Sequence, residues 1–523
     1  MAMHDDDLTR VDSVVRDSPP HQTDPGDEQS CTRWRVVVVL LLAICNVSLY
    51  LSRANISIAV LYMLPKGSPW MKWVLAGFYV GYTLSQIPAG YFASKHGGKA
   101  VLAAAVTVWS IATLLCVPAL KAGPFLLVVC RFLIGLAEGC NYPAQIALVA
   151  SWVPAGERTR AWAFLSAGET IGTIGAMLSS PSLKAAYGWP SIFYLSGIFG
   201  FVWLAAFAFL ASRSPETHKF ISAAEREHIV ESRLQILSGD GDEEEGEVGF
   251  WDVPWRAFFR SRAFIGLLIT HFCYNYQYYL ALSLGPDFFY THFNVDISKP
   301  SSGIGFYACL PYVVLFCTMN AAGFLADWFH SLKRGGSSHA HDATLVLGGG
   351  VKTRLLDDDE QGEPGNDVDA KHVSMTVVRK GMNTAGLLGC AIFFGLLGSH
   401  AVQHSGTGKV ALRHAVALLT AGIGIGGFAT AGYWANYHDL SAKYSSVLIG
   451  VGNSIATIPG VIGNLVSGVI LGDIHSSHDG GAAAWGLVFT ICAIVALVGT
   501  LAFLLTASGE QIDFDRKRRK SAA

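Results

Sequence analysis

The feature that most limits how this chain can fold is its series of long apolar runs. About 20 consecutive apolar residues cross the hydrocarbon core of a bilayer as a helix. Twelve such stretches can be read along the 523 residues, at approximately 35–60, 72–94, 99–119, 125–150, 160–183, 190–211, 263–290, 303–328, 381–400, 410–433, 445–471 and 483–506. Only 15% of residues are charged and 51% are hydrophobic, which is too apolar for a chain of this length in water. Within lipid every backbone polar group must be satisfied inside its own segment, so the expected fold is an all-α membrane protein of twelve transmembrane helices.

Charge predicts how these spans are oriented. With both termini on one side, 28 of the 37 Lys and Arg fall on that side and seven on the other; the remaining two, Arg53 and Arg131, fall within the membrane. An excess of this kind marks the cytoplasmic face, so both termini are expected in the cytoplasm. Plasma membrane and internal compartments are both left open. The net charge of −2 offers no basic footprint, and no nucleic-acid partner is expected. The ten cysteines are scattered without a CxxC, and nine of them lie in apolar segments, as small buried thiols do. No metal or other cofactor is expected.

The chain divides into a polar N-terminus (1–34), a six-span half (35–211), a central loop (212–262), a second six-span half (263–506) and a basic tail (507–523). The first of these is expected to be disordered. "ISAAEREHIVESRLQIL" in the central loop has helical periodicity and predicts an amphipathic helix on the cytoplasmic surface. An insert at 331–378, containing "DDDEQGEPGNDVD", reads as disordered, and His339 and His341 within it read as solvated rather than as metal ligands. "GYFASKHGGK" (90–99) closes span 2 and "GFLADWFHSLKR" (323–334) closes span 8. A repeat at equivalent places in two halves is the pattern of parallel-repeat transporters with a central site.

Within the apolar runs a few charges stand out. "RFLIGLAEGCNYP" (131–143) carries Arg131 and Glu138, each costing roughly 2.5–3.5 kcal/mol on insertion scales, so function is the default expectation. Seven residues are nearly two helical turns, so both lie on one face, about 10 Å apart, and are expected to line a water-accessible central cavity. A carboxyl group at Glu138 can take up and release a proton; the alternative is a permanent ion pair with Arg53 or Arg131, a weak source of stability. Arg131 is either a cavity cation or half of a structural salt bridge. Arg53, in "YLSRANISIAV", either snorkels to the interface or binds an anion through its planar fork. Glu169 is a second intramembrane acid, flanked by Gly168, Gly172 and Gly175 on a face suited to tight helix crossing. His271, Asn275 and Tyr279 recur at four-residue spacing on span 7, either as a polar lining or as an interhelical hydrogen-bond set. "TIPG" (457–460) predicts a break in span 11. The sequons at Asn46 and Asn55 fall inside span 1 and are read as accidental.

Seven segments, in order, resemble the anion:cation symporter family of the major facilitator superfamily. They are "GYTLSQIPAGYFASKHGGK" (81–99), "RFLIGLAEGCNYPA" (131–144), "GWPSIFYLSG" (188–197), "VPWRAFFRS" (253–261), "LPYVVLFCTMNAAGFLADW" (310–328), "SMTVVRKGMNTAG" (374–386) and "GIGGFATAGYWANYHDLSAKYSSVLIGVGNSIATIPGVIG" (424–463). The resemblance implies two pseudo-symmetric six-helix halves and symport of a small organic or inorganic anion, coupled to H⁺ or Na⁺, by alternating access in a monomer. Together with the residue reading, it gives candidate substrate contacts at Arg53, Arg131, Asn275, Tyr279 and Asn453, and coupling groups at Glu138 and Glu169. Gly90, Ser94, Gly98, Asp327 and Asp439 are the candidate gating positions. Asn453 and Asn464 enter through the resemblance alone. Ser94 replaces the acidic residue of the first signature loop, whereas Asp327 keeps it in the second. Tyr274 and Leu75 stand where vesicular glutamate carriers have Arg and His, which argues against glutamate as cargo. Phosphate and an organic carboxylate stay open. A transporter-like receptor or scaffold that binds without translocating is the competing reading. An enzyme finds no support, since no nucleotide loop, metal-ligand spacing or nucleophile elbow is present.

Overall fold

The structure, a computed structural model, describes residues 33–238, 253–295, 303–331, 374–403, 408–441, 444–472, 480–512 and 514. The 1–32 segment, nearly all of the 331–378 insert with His339 and His341, and the tail beyond 514 lie outside the described residues. Among the described residues twelve spans form, in two sets of six. Spans 1 to 6 are Trp34–Met63, Trp70–His96, Gly98–Ala122, the pair Pro124–Glu138 and Asn141–Trp152, Arg158–Tyr187 and Pro190–Leu210. Spans 7 to 9 are Arg262–His292, Ile304–Ser331 and Met375–Gln403. Span 10 runs from Lys409 to Leu440 and includes a π-helical turn at Thr430–Trp434, a local widening often found at functional positions. Span 11 is Ser445–Ile455 followed by Ile458–Gly472, broken where "TIPG" predicts it, and span 12 is Gly480–Thr506.

Among the described residues, nine of these helical stretches are apolar enough over an 18-residue window to cross a membrane on composition alone. Spans 2, 5 and 7 are the three that are not. They carry Gln86, Glu169 and Asn275, polar groups turned toward other helices rather than toward lipid. Large apolar side chains such as Ile87, Phe164, Ile171, Phe209 and Leu501 are exposed around the outside, as a lipid-facing surface requires.

Small residues set how closely the spans approach. A Cβ on Gly168 would overlap the Ala43 carbonyl and one on Gly172 the Val47 carbonyl, so span 5 lies directly on span 1. Gly175, the third glycine of that face, makes ordinary contact. Gly81 and Gly135 do the same for spans 2 and 4, where a Cβ on Gly135 would overlap the Phe78 carbonyl. Span 4 is thereby pressed onto the Phe78 turn. Asn46 and Asn55 are buried in span 1 and donate to the Leu165 carbonyl (3.0 Å) and Ser196 Oγ (3.0 Å), which leaves neither sequon available for glycosylation.

Because twelve spans alternate in direction, both ends of the bundle's chain path emerge on one face, here the terminal face; the opposite face is the far face. The expected central-loop helix is present at Ala223–Ser238. Glu225 accepts from Trp34 N (2.9 Å) and Arg35 N (3.2 Å), placing a carboxylate on the N-terminus of span 1. Arg35 in turn grips Glu157 through Nε (2.9 Å) and Nη2 (3.1 Å). The helix is therefore pinned to the first half.

Candidate functional site

Span 1 directs Ser52 and Arg53 into the middle of the bundle, and the upper half of span 4 ends on Glu138. These two elements meet there. Arg53 Nε donates to Glu138 Oε2 (3.2 Å), and Ser52 Oγ donates to Glu138 Oε1 (2.6 Å). The three residues are almost fully buried, at 5%, 0% and 3% exposed for Arg53, Glu138 and Ser52.

The form of this ion pair matters. Among the described residues, two other Arg–carboxylate pairs are bidentate through Nε and Nη2: Arg35 with Glu157, and Arg379 with Asp439 (2.7 and 3.1 Å). Arg53 offers Glu138 only Nε, because Ser52 holds the second carboxylate oxygen. Its Nη2 is buried without a hydrogen-bond partner. Three rings, Tyr50 (4.6 Å), Phe78 (5.0 Å) and Tyr82 (4.7 Å), surround the guanidinium carbon and offset part of its desolvation. An arginine held this way presents a half-used fork, which suits an incoming anion.

Arg131 takes a different position from the one expected. It faces no cavity, being 2% exposed, and it does not pair with Glu138. Its guanidinium lies over the other side of the arrangement, 4.9 Å from Phe78, with Nε and Nη1 unpartnered. Glu138 is equally closed from water. The expectation that both line a water-accessible cavity is therefore corrected: the Phe78 ring and the close crossing of spans 2 and 4 seal them in. A cavity of about 260 Å³ does open between the halves, but toward the far face, beside Lys66, Lys72, Asp287, Tyr290 and Asn464, and Arg53 does not line it.

Glu169 on span 5 lies near Tyr50 and Arg53, within electrostatic reach of both, and so joins the same cluster at one remove. From the second half, Tyr279 brings its ring 4.8 Å from Tyr79, and Tyr278 packs 5.9 Å from Tyr312. Asn275 donates to the Ala456 carbonyl (2.9 Å) and reaches Tyr279 (3.4 Å), while His271 turns away to Tyr437 (3.1 Å). The four-residue series on span 7 is thus an interhelical hydrogen-bond set, with Tyr279 alone at the midplane between the halves. Asn453 donates to Gln86 Oε1 (3.1 Å), and Gln86 Nε2 donates to Thr457 (3.0 Å), so Asn453 holds span 11 to span 2 across the halves.

The gating positions behave unequally. Ser94 is exposed and donates only to Tyr91 O in its own helix (2.8 Å), and Gly90 has open space around it. Gly98 packs against the Ala144 carbonyl. Asp439 clamps the end of span 10 to Arg379 at the start of span 9. Asp327 belongs to span 8, and its side chain lies outside the described residues. Among the described residues no group of three or more His, Cys, Asp or Glu is placed to hold a metal ion.

Residues 42–340 match the Major Facilitator Superfamily. The chain belongs to that superfamily. The sodium-dependent phosphate transport protein 1, chloroplastic, of Arabidopsis thaliana is 30% identical over 516 residues, covering 97% of this chain and 85% of that protein. Sialin of Ovis aries is 30% identical over 438 residues, covering 84% of this chain and 75% of sialin. A bacterial homologue of the human lysosomal transporter Spinster, in an inward-facing and occupied conformation, has the same fold, with a TM-score of 0.61 at 15% identity over 91% of this chain and 97% of that one. This facilitator therefore stands with the anion:cation symporters of the superfamily, as a membrane transporter and not an enzyme.

Much of the site's lining was absent from the sequence reading. Ser52, Tyr50, Phe78, Tyr79, Tyr82, Tyr278 and Tyr312 gather around Arg53 or across the midplane from it. A signal was present: Tyr50 precedes Arg53 by three residues, and Phe78 precedes Tyr82 by four, so each pair shares a helix face. Nothing in that spacing says which helix the face meets.

Proposed function

We propose that this transporter carries a small anion by symport, coupled to H⁺ or Na⁺, through alternating access of the 35–211 and 263–506 halves about the Arg53 centre, as a monomer. The half-used guanidinium of Arg53, buried and hydrogen-bonded to Glu138 through one nitrogen only, carries this reading. An anion on the free edge of Arg53 competes with Glu138 for the same charge. A proton on Glu138 then removes the competitor, so cargo and proton favour one another. The donors around Glu138, a hydroxyl and a guanidinium, favour H⁺ over a sodium ion, which needs a shell of oxygen ligands. Glu169, near Tyr50 and Arg53, is the second coupling candidate. Proteoliposomes given a panel of anions under imposed pH, Na⁺ and voltage gradients test this directly. Gradient-driven accumulation of at least one anion is expected. Binding of an anion without any flux would instead support the receptor reading.

The terminal face is cytoplasmic in this proposal, supported by the 28-to-7 distribution of basic residues. The 212–262 loop then tethers the halves on that side. A reporter cysteine at the exposed position Glu227 should react with an impermeant thiol reagent only from the cytosol; labelling from the other side reverses the topology.

A further inference from the structure

We infer that the lipid-facing seam between the halves binds an anionic phospholipid, with one acyl chain in a groove between spans 2, 4 and 11 and the phosphate on Lys72. Such a site lies on the outside of the bundle and is independent of the cargo carried through it. A groove of about 290 Å³ runs down this seam from its far-face end, and its lining is apolar throughout. Span 2 supplies Trp73, Ala76, Gly77 and Val80, while Val128 and Leu465 close the sides from spans 4 and 11. Trp73 and Val80 are 50% and 37% exposed, so the groove opens outward, to lipid. On the inner side span 11 lies directly on span 2, where a Cβ on Gly460 would overlap the Tyr79 ring. From Trp73 to Val80 the helix rises about 10 Å, against about 15 Å for the hydrocarbon depth of one leaflet. The groove therefore takes the upper part of one acyl chain.

An acyl chain leaving bulk lipid for this groove gains only packing, so selectivity has to come from what stands at the groove's end. Lys72 stands there. Lys72, Ala76 and Val80 are four residues apart and share a helix face, and Gly468 follows Leu465 by nearly one turn on span 11. A Cβ on Gly468 would overlap Cβ, Cγ and Cδ of Lys72, so the lysine stem is laid across span 11 above the groove. A lysine that merely snorkels extends freely along its own helix; this one crosses from the first half to the second. Among the described residues no acidic group pairs with it, although Asp287 lines the same far-face cavity. Arg35, Arg53, Arg233 and Arg379, by contrast, all have carboxylate partners. An unpaired ammonium in the first turn of span 2, beside an exposed tryptophan, lies at headgroup level and suits a lipid phosphate. A lipid held there bridges the two halves at spans 2 and 11.

The test uses the full chain in nanodiscs of equal parts phosphatidylcholine and phosphatidylglycerol, with a trace of phosphatidylglycerol bearing a photoreactive acyl chain. After release from the discs, native mass spectrometry should find phosphatidylglycerol retained about fivefold over phosphatidylcholine. Crosslinks should fall on peptides containing residues 76–80 or 461–465. Lys72→Gln should bring the two lipids to parity, whereas Lys121→Gln, at the far-face end of span 3, should leave the preference intact. Val80→Trp, which fills the groove from its exposed rim, should remove the crosslinks. Equal retention of both lipids by the unsubstituted chain, or crosslinks confined to other spans, overturns the inference without recourse to any variant. An unchanged preference in Lys72→Gln, a preference lost equally in Lys121→Gln, or crosslinks that survive Val80→Trp overturns it as well. So does retention of cholesterol in place of phospholipid when the sterol is added to the discs.

Discussion

Replacing Glu138 by Gln should abolish pH-driven accumulation of the anion while anion exchange across the membrane continues at near its original rate. The amide keeps the size of the carboxyl group. Its oxygen still accepts from Ser52 or Arg53, which hold the carboxylate at 2.6 and 3.2 Å. What disappears is the negative charge that competes with cargo for Arg53 and the site that takes up a proton. The substituted protein resembles the permanently protonated state, in which the halves can still exchange positions with cargo bound. A structural role makes the opposite forecast. Removing one partner of a buried ion pair costs about 3–5 kcal/mol, and exchange, accumulation and protein level should then fall together. Exchange and gradient-driven uptake measured on the same vesicles separate the two. Accumulation that survives intact removes Glu138 from coupling and moves the assignment to Glu169.

Arg53→Lys should reduce uptake at low substrate concentration about 100-fold with the protein still present in the membrane. Charge is conserved, so a simple electrostatic attractor would be little affected. The planar fork is not conserved, and one or two hydrogen bonds to a charged group are lost, each contributing about 1.5–3 kcal/mol. At about 1.4 kcal/mol per decade, a single such bond gives a loss of about 10- to 100-fold. The ammonium group also fits the Tyr50, Phe78 and Tyr82 cage less well, since a flat guanidinium can stack on rings and a compact ammonium cannot. Uptake should be compared with surface-labelled protein in the same cells. Normal transport by both Arg53→Lys and Arg53→Ala would return this residue to a packing role at the membrane interior.

Hydropathy by itself accounts for nine of the spans, because a bilayer demands apolarity over a fixed length of chain and that property is local in sequence; spans 2, 5 and 7, which carry buried polar groups, fall below that measure. Local chemistry also located the break in span 11 at "TIPG" and two of the three glycines by which span 5 lies on span 1. Seven-residue spacing correctly placed Arg131 and Glu138 on one face of span 4. The tertiary structure decided what that face meets. Glu138 pairs with Arg53, 85 residues earlier, instead of with its own helix neighbour Arg131, and the presumed cavity wall is a sealed layer around Phe78. Partner choice of this kind depends on the rotation and axial offset of one helix against another. Those are set by where backbones can touch, at Gly81 and Gly135 between spans 2 and 4, and a one-turn slide there would present other side chains without altering the pattern of either helix. The tyrosines escaped notice for the same reason: an aromatic residue in an apolar helix reads alike whether it faces lipid, a neighbouring helix or an arginine.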